Sequence, residues 1–191
     1  MRIIAGEFRG RALKAPKGSN TRPTTDRVRE ALFSALASAR GGLDGAVVLD
    51  AFAGSGALSF EALSRGAAAA HLFERDRAAL AALEGNVRTL GLSPNVARVH
   101  RRDVLKNPPI SARPPFELVF LDPPYAFDAA DVLGMVAQLA AAGALTDDAL
   151  VVYEHAAPSG DAVDAAAAEL GFALASRKKY GDTVVDILRR A

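Results

Sequence analysis

The sequence predicts an α/β protein with a doubly wound, mainly parallel sheet of about seven strands that ends in an antiparallel hairpin. Short apolar runs, typical of strands buried on both faces, alternate along the chain with helical patterns. Four of these runs end at an acidic residue, namely Asp50, Glu74, Asp122 and Glu154. Near the C-terminus, two further runs face each other across Tyr180-Gly181-Asp182, which is the pattern of a hairpin.

The first elements belong to a basic N-terminal segment. Residues 2–5 and 11–14 are extended runs with glycines between them, which predicts a small β-hairpin. Thr24 or Thr25 can cap a helix over about 26–40, where apolar residues recur every four positions. We therefore expect a hairpin and a helix before the first strand of the sheet.

The remaining elements alternate between strand and helix. Core strands are predicted at 46–49, 70–73, 96–100, 117–121 and 150–153. Helices are predicted near 57–65, 76–90, 128–142 and 161–170, and the hairpin strands at 172–179 and 183–189. Parallel sheets of this kind bind ligands at the carboxyl ends of their strands, so the acidic strand ends outline a site.

Charge divides the chain unevenly. Residues 1–29 carry eight basic and two acidic groups, a net charge of +6, whereas the rest carries 15 basic and 20 acidic groups, a net of −5. We assign 1–25 to a basic arm that contacts nucleic-acid phosphates and 26–191 to the main domain, the alternative for the arm being an ordinary solvated surface. The predicted nucleic-acid contacts are Arg2, Arg9, Arg11, Lys14, Arg22, Thr24 and Arg27.

Composition excludes several other classes of protein. The chain has no Cys, and its three His residues are far apart, so we expect neither a disulfide framework nor a metal site. No apolar run reaches the roughly 18 residues that a membrane span needs, and the N-terminus lacks the apolar centre of a signal peptide. We expect a soluble, cytoplasmic protein with no membrane partner.

A glycine-rich turn, Asp50-Ala51-Phe52-Ala53-Gly54-Ser55-Gly56, follows the first core strand and opens a helix. Its glycines allow close approach of backbone to a ligand at a helix N-terminus. A dinucleotide pyrophosphate is the rival ligand, but the carboxylate of Asp50 would repel it. A ligand with an ammonium and a sulfonium and no phosphate suits that carboxylate, which predicts S-adenosylmethionine.

Two further acids extend this predicted cofactor site. Glu74 ends the next strand and can accept hydrogen bonds from both ribose hydroxyls, while Asp103 with Val104 can bind the adenine. The alternative for Glu74 alone is a surface acid. The full set of predicted cofactor contacts is Asp50, Phe52, Ala53, Gly54, Ser55, Gly56, Glu74, Arg75, Asp103 and Val104.

The motif Asp122-Pro123-Pro124-Tyr125 after the fourth strand resembles that of amino-methyltransferases, which carry D/N/S-P-P-Y/F. A carboxylate and the Pro123 carbonyl can accept amine hydrogens, which directs the nitrogen lone pair at the methyl group and stabilises the developing positive charge. The prolines fix the backbone, and Tyr125 offers a ring on which an unstacked base can lie. The alternative is a simple turn that leaves the strand. We predict that Asp122, Pro123, Pro124 and Tyr125 are catalytic.

Longer strings resemble one family, the bacterial 16S ribosomal RNA guanine-N2 methyltransferases of the RsmD type. The matching strings are Arg2–Gly6, Arg9–Arg11, Arg22–Glu30, Phe52–Leu58, Glu61–Gly66 and Glu74–Asp76. The resemblance covers nearly the whole chain and implies a Rossmann-like class I methyltransferase. It also implies methyl transfer from S-adenosylmethionine to the 2-amino group of one guanine in small-subunit ribosomal RNA, either naked or in an assembling subunit.

Two other functions are compatible with parts of the sequence. An adenine-N6 methyltransferase that acts on DNA or other RNA would use the same motif at Asp122, although the chain leaves little length for a separate target-reading region. A catalytically inactive RNA-binding module would use the basic arm, but it has no need for acids at the strand ends. Guanine suits Asp122 because its N1–H and 2-amino group are adjacent donors that one carboxylate can accept.

Overall fold

The computed structural model describes residues 1–16 and 26–191. The predicted helix cap at Thr24 or Thr25 and the predicted RNA contacts Arg22 and Thr24 lie outside the described residues. The chain forms two compact units, residues 1–102 and 103–191. None of the helices in the described part of the chain is long and apolar enough to cross a membrane.

The first unit contains three parallel strands and three helices. These are α1 (Asp26–Arg40), β1 (Val47–Asp50), α2 (Ala57–Ser64), β2 (Ala69–Glu74), α3 (Arg77–Leu90) and β3 (Ala97–Arg101). The strand order is β3-β2-β1, with Val48 paired to Ala70 and Leu72 paired to Val99. Every residue of β1 is buried, as its uniformly apolar composition before Asp50 predicts.

The second unit ends in the predicted antiparallel hairpin. Its elements are β4 (Phe116–Leu121), α4 (Ala129–Ala141), β5 (Leu145–Ala156), α5 (Gly160–Glu169), β6 (Phe172–Tyr180) and β7 (Thr183–Arg190). β4 and β5 are parallel, β7 is antiparallel to both β5 and β6, and the order is β4-β5-β7-β6. Gly181, with φ of 65°, occupies the turn between β6 and β7.

The predicted fold class is confirmed: the described residues form seven strands, mainly parallel with an antiparallel C-terminal pair, and five α-helices. Most boundaries differ from the predicted ones by a residue or two, but β5 begins at Leu145 and not at 150. Leu145 pairs with Phe116 ahead of a register irregularity, while Asp147 and Asp148 are exposed. These polar residues interrupt the apolar run, so the hydrophobic pattern detected only the buried second half of the strand.

The N-terminal segment forms a small hairpin, as predicted. Arg2 and Ala12 form an antiparallel bridge, and the backbone N–H of Ile3 donates to the Arg11 carbonyl at 3.0 Å. Ile3, Phe8 and Leu13 are buried. The hairpin therefore contributes apolar side chains to the core of the first unit.

Two buried side chains of α2 and one of α3 hold this hairpin. The Glu61 carboxylate accepts the N–H groups of Ile4 and Ala5 at 2.8 and 3.1 Å, and Ser64 Oγ accepts that of Phe8 at 2.9 Å. Asn86 binds the backbone of Lys14 through both its amide oxygen and its amide nitrogen, at 2.8 and 3.0 Å. Side-chain bonds thus satisfy several backbone groups of the hairpin that have no partner in a regular ladder.

A buried ionic network joins four elements of the second unit. His155, on β5, places Nε2 3.0 Å from Asp186 Oδ2 and Nδ1 2.9 Å from the Ala156 carbonyl oxygen. Both partners are acceptors, so both ring nitrogens donate and the imidazole is charged. Arg177, on β6, donates to both oxygens of Asp186, on β7, at 2.7 Å, and also pairs with Asp164 of α5.

The pKa values of this network follow from its hydrogen bonds. Burial disfavours the charged ring of His155, but the bonds to Asp186 and to the Ala156 carbonyl outweigh burial and raise the pKa of His155 above its usual value. Burial likewise opposes ionisation of Asp186, whereas the bonds from Arg177 and His155 lower its pKa overall. The hydrogen bonds of the network therefore favour the ionised forms of His155 and Asp186.

Replacing Asp186 with Asn should lower the free energy of unfolding by about 3 kcal/mol, because the charged groups of Arg177 and His155 lose their buried partner. The stabilisation from His155 should be complete below pH 6.5 and should decline as pH rises through the raised pKa of the folded state. Urea unfolding of both proteins across that pH range measures each effect. Asp147→Asn, which removes the exposed ion pair with Arg190, is the control and should change little.

Candidate functional site

Asp50 is the last residue of β1 and is only 2% exposed. Its Oδ2 accepts the hydroxyl hydrogen of Ser59, on α2, at 2.8 Å. Burial raises the pKa of Asp50 to about 7; the Ser59 bond opposes this shift, and the nearby charge of Glu74 adds to it. A cation that binds beside Asp50 would therefore lower its pKa and favour the ionised carboxylate.

The two glycines of the turn after β1 have different roles. Both have positive φ, 54° at Gly54 and 83° at Gly56. A side chain at Gly56 would begin 2.4 Å from the Phe60 ring and 2.6 Å from a Leu83 methyl, so glycine is required there for packing. A side chain at Gly54 would meet open space, so this part of the backbone is accessible to a ligand.

Glu74 holds the glycine-rich turn. Its Oε2 accepts the N–H of Gly54 at 2.9 Å, and its Oε1 accepts those of Arg75 and Asp76, both at 2.7 Å. A carboxylate has about four acceptor positions, so these bonds leave about one for a ligand. Binding of both ribose hydroxyls, as the sequence predicts, would require Glu74 to exchange one of its backbone bonds.

The other predicted cofactor contacts of the first unit surround this turn. Ala53 and Ser55 are buried, Phe52 is half-buried and Arg75 is exposed. The Ala53 N–H donates to the Phe73 carbonyl on β2 at 2.9 Å, which fixes the turn against the neighbouring strand. This hydrogen bond gives the turn a defined shape.

Asp103 and Val104 begin the second unit. Asp103 is half-buried, and its Oδ1 accepts the N–H of Leu105 at 3.0 Å, which closes a local turn. Val104 is 2% exposed. Their predicted contact with adenine remains a prediction.

The motif Asp122–Tyr125 leaves β4 in an open loop. Asp122 and Pro124 are exposed, Pro123 is buried, and Tyr125 is 57% exposed. The Tyr125 hydroxyl lies 3.0 Å from Thr183 Oγ1, at the start of β7. This hydrogen bond restrains the ring at its tip and leaves much of its surface available for stacking.

Three residues of the motif, Pro123, Pro124 and Tyr125, line a pocket together with Tyr153, Glu154 and His155 at the end of β5. Burial raises the pKa of Tyr153 to about 12, and the charge of Asp128 adds to the shift, so its hydroxyl stays neutral. A pocket with proline and aromatic walls and two carboxylates, Asp128 and Glu154, suits a flat heterocycle that has hydrogen-bond donors on its edge.

The predicted RNA contacts of the described segment are all exposed: Arg2, Arg9, Arg11, Lys14 and Arg27. Arg2 pairs with Asp26 at 3.2 Å, and the Arg11 guanidinium lies 5.5 Å from the centre of the Phe8 ring. No group of side chains that could hold a metal ion occurs among residues 1–16 and 26–191.

Several positioning residues were missed by the sequence reasoning. Ser59 binds Asp50, Thr183 binds Tyr125, and Glu61 and Asn86 hold the hairpin. The partners lie on different elements, so no periodic pattern links the members of a pair. The acid Glu61 between the apolar residues Phe60 and Ala62 was an available signal, because an acid that is buried with such neighbours needs donors.

The chain matches the family model described as conserved hypothetical protein 95 over residues 1–189. Two similar curated proteins are both named ribosomal RNA small subunit methyltransferase D. The Escherichia coli K12 protein is 41% identical over 84% of this chain and 77% of its own length. The Haemophilus influenzae protein is 42% identical over 69% of this chain and 67% of its own length.

Solved structures of other proteins are also similar to this chain. The Escherichia coli protein yhhF, described as a candidate methyltransferase, is 38% identical with a TM-score of 0.79 over 100% of this chain and 97% of that one. The hypothetical protein TTHA0928 of Thermus thermophilus is 33% identical with a TM-score of 0.73 over 98% of each chain.

Replacing Ser59 with Ala should raise the pKa of Asp50 above its value of about 7, because the hydroxyl donates to the ionised carboxylate. Carbon NMR of the Asp50 carboxyl group during a pH titration measures the shift. Ser34→Ala, at an exposed position of α1, serves as the control and should leave the titration unchanged. An unaltered pKa in the Ser59 variant would contradict the described hydrogen bond.

Proposed function

The chain belongs to the conserved hypothetical protein 95 family, and on that premise we propose that it transfers a methyl group from S-adenosylmethionine to a guanine 2-amino group in 16S ribosomal RNA. The names of its relatives support methyl transfer to small-subunit ribosomal RNA. The observation that carries the choice of an amine is the motif Asp122-Pro123-Pro124-Tyr125 after β4, of which Pro123, Pro124 and Tyr125 line a pocket. With such a substrate, we expect the reaction to occur in the cytoplasm.

The first unit has the features that S-adenosylmethionine requires. Asp50 would bind the cofactor's cationic methionine end, because a positive charge favours its ionised form. Gly54 leaves space for the cofactor to approach the backbone, and Glu74 would accept a ribose hydroxyl at its remaining position. When bound, the cofactor supplies an electrophilic methyl group on sulfur.

The second unit has the features that an aromatic amine requires. The lone pair of such an amine is delocalised into the ring and is a poor nucleophile. The Asp122 carboxylate and the Pro123 carbonyl would each accept one amine hydrogen, which favours pyramidal nitrogen and stabilises the positive charge that develops there. Tyr125, restrained by Thr183, would stack on a base taken out of its helix.

The hairpin at 1–16 would bind RNA phosphates through a basic surface whose backbone is held in place by α2 and α3. Arg9 and Arg11 lie on its exposed side, while its backbone is held by Glu61, Ser64 and Asn86. A fixed basic surface positions the RNA without reading its sequence. The choice of one guanine would then depend on RNA shape and on the pocket.

Adenine-N6 methylation is the second candidate, because the same motif can hold the adenine amine. The two candidates give different products. Nucleoside mass spectrometry of small-subunit RNA, taken from cells that lack the enzyme and then treated with protein and cofactor, should detect N2-methylguanosine. N6-methyladenosine as the product would establish the second candidate in its place.

Asp122→Asn should reduce the methyl-transfer rate by roughly a hundredfold or more, because it removes the negative charge that stabilises the developing cation. Single-turnover assays at saturating cofactor measure this rate. Cofactor affinity, measured by calorimetric titration, should barely change. A fully active variant would contradict the role proposed for Asp122.

Arg9→Gln combined with Arg11→Gln should weaken RNA binding and reduce the salt dependence of the binding constant. Loss of two phosphate contacts should reduce the slope of log K against log salt by about 1.5 to 2. The charge substitutions keep Ile3, Phe8 and Leu13 in the core, which a deletion of the segment would not. Arg88→Gln, at an exposed position of α3, is the control, and an unchanged slope in the double variant would exclude the hairpin as an RNA contact.

A further inference from the structure

Glu154 is the acidic strand end to which neither the cofactor nor the amine has been assigned. It lies near the end of β5, between the buried residues Tyr153 and His155, and lines the same pocket as Pro123, Pro124 and Tyr125. The Glu154 carboxylate would contact a base that binds in this pocket. Its role depends on which hydrogen-bond donors lie on the edge of that base.

Guanine presents three donor hydrogens side by side, two on the 2-amino nitrogen and one on N1. The amine hydrogens are accepted by Asp122 and by the Pro123 carbonyl in the proposed function. This arrangement leaves N1–H without an acceptor. A donor that loses its water on binding and gains no partner lowers the affinity for the base and the rate of methyl transfer. A third acceptor on the pocket wall is therefore needed.

We infer that Glu154 is a specificity-determining residue that accepts the N1–H of the target guanine. The inference rests on the proposed function, because it presupposes that a base occupies the pocket lined by Pro123, Pro124 and Tyr125 and presents its amine to Asp122. One carboxylate would then hold the reacting amine and another the neighbouring ring nitrogen. This division of roles replaces the simpler arrangement in which Asp122 alone accepts both groups.

The same carboxylate discriminates against adenine. The ring nitrogen beside the adenine amine carries a lone pair and no hydrogen, so it would face the negative oxygens of Glu154 with no bond between them. A site built to accept a hydrogen rejects an analogue that lacks it more strongly than an apolar wall does. Glu154 thereby separates the two substrates that the motif itself does not distinguish.

The backbone around Glu154 is well constrained. Glu154 pairs with Val185 in the antiparallel ladder between β5 and β7. The next residue, His155, is fixed by its bonds to Asp186 and to the Ala156 carbonyl. A specificity residue requires such restraint, because hydrogen-bond discrimination depends on the position of the acceptor.

The test compares wild type with Glu154→Gln, Glu154→Asp and the control Asp148→Asn, an exposed acid on the same strand. Wild-type product first locates the methylated guanine. A second RNA then carries adenine at that position, and single-turnover rates are measured on both RNAs with saturating S-adenosylmethionine. Circular dichroism and calorimetric cofactor titration establish that each variant is folded.

Glu154→Gln should slow N2-methylguanosine formation by about tenfold to a hundredfold. It should also form N6-methyladenosine on the adenine RNA, because the Gln amide can turn its N–H toward the adenine ring nitrogen. Glu154→Asp should slow the guanine reaction yet still reject adenine, and Asp148→Asn should match wild type. If Glu154→Gln slows N2-methylguanosine formation but forms no N6-methyladenosine, Glu154 has a structural role and the inference is overturned.

The failure of the proposed function would be recognised separately. If wild type forms no N2-methylguanosine, the premise fails before any variant is compared. If wild type forms N2-methylguanosine and Glu154→Gln equals it on both RNAs, the inference alone fails.

Discussion

A carboxylate can be removed from water only where donors replace the water, and this requirement organises much of the protein. Asp50, Glu61 and Asp186 are each at most 2% exposed, and each accepts hydrogen bonds from residues of other elements. Glu61 holds the N-terminal hairpin, Asp50 is held by α2, and Asp186 joins β7 to β5 and β6. Loss of any one would leave unpaired donors in its place, so these acids connect the elements that they join.

The same acids differ in what they can contribute to chemistry. Asp186 is matched by two cationic groups and remains ionised, which suits a structural link. Asp50 is buried beside Glu74 and accepts only uncharged donors of Ser59 and Phe52, so its pKa rises to about 7 and its ionisation depends on what binds beside it. A buried carboxylate without a cationic partner is the one that can respond to a charged ligand.

The turn after β1 shows how one residue can combine two tasks. Glu74 fixes the turn through the Gly54 N–H and also accepts those of Arg75 and Asp76, the two residues before α3, which leaves limited capacity for a ribose. In the second unit, positioning and recognition are divided between residues. Thr183 restrains Tyr125, while Glu154 contributes a separate carboxylate to the pocket wall.

The sequence by itself determined the order and type of the elements, because uniformly apolar runs ending in acids are typical of buried parallel strands. It also indicated the glycine-rich turn and the motif at Asp122, since both consist of consecutive residues whose local chemistry is readable. Only the tertiary structure decided the partners of those residues. Ser59 with Asp50, Thr183 with Tyr125 and Asn86 with Lys14 are pairs formed by packing between different elements, and the start of β5 at Leu145 depends on its neighbour Phe116. Such pairs leave no periodic signal in the chain, because their stability comes from desolvation that exists only once the elements have packed.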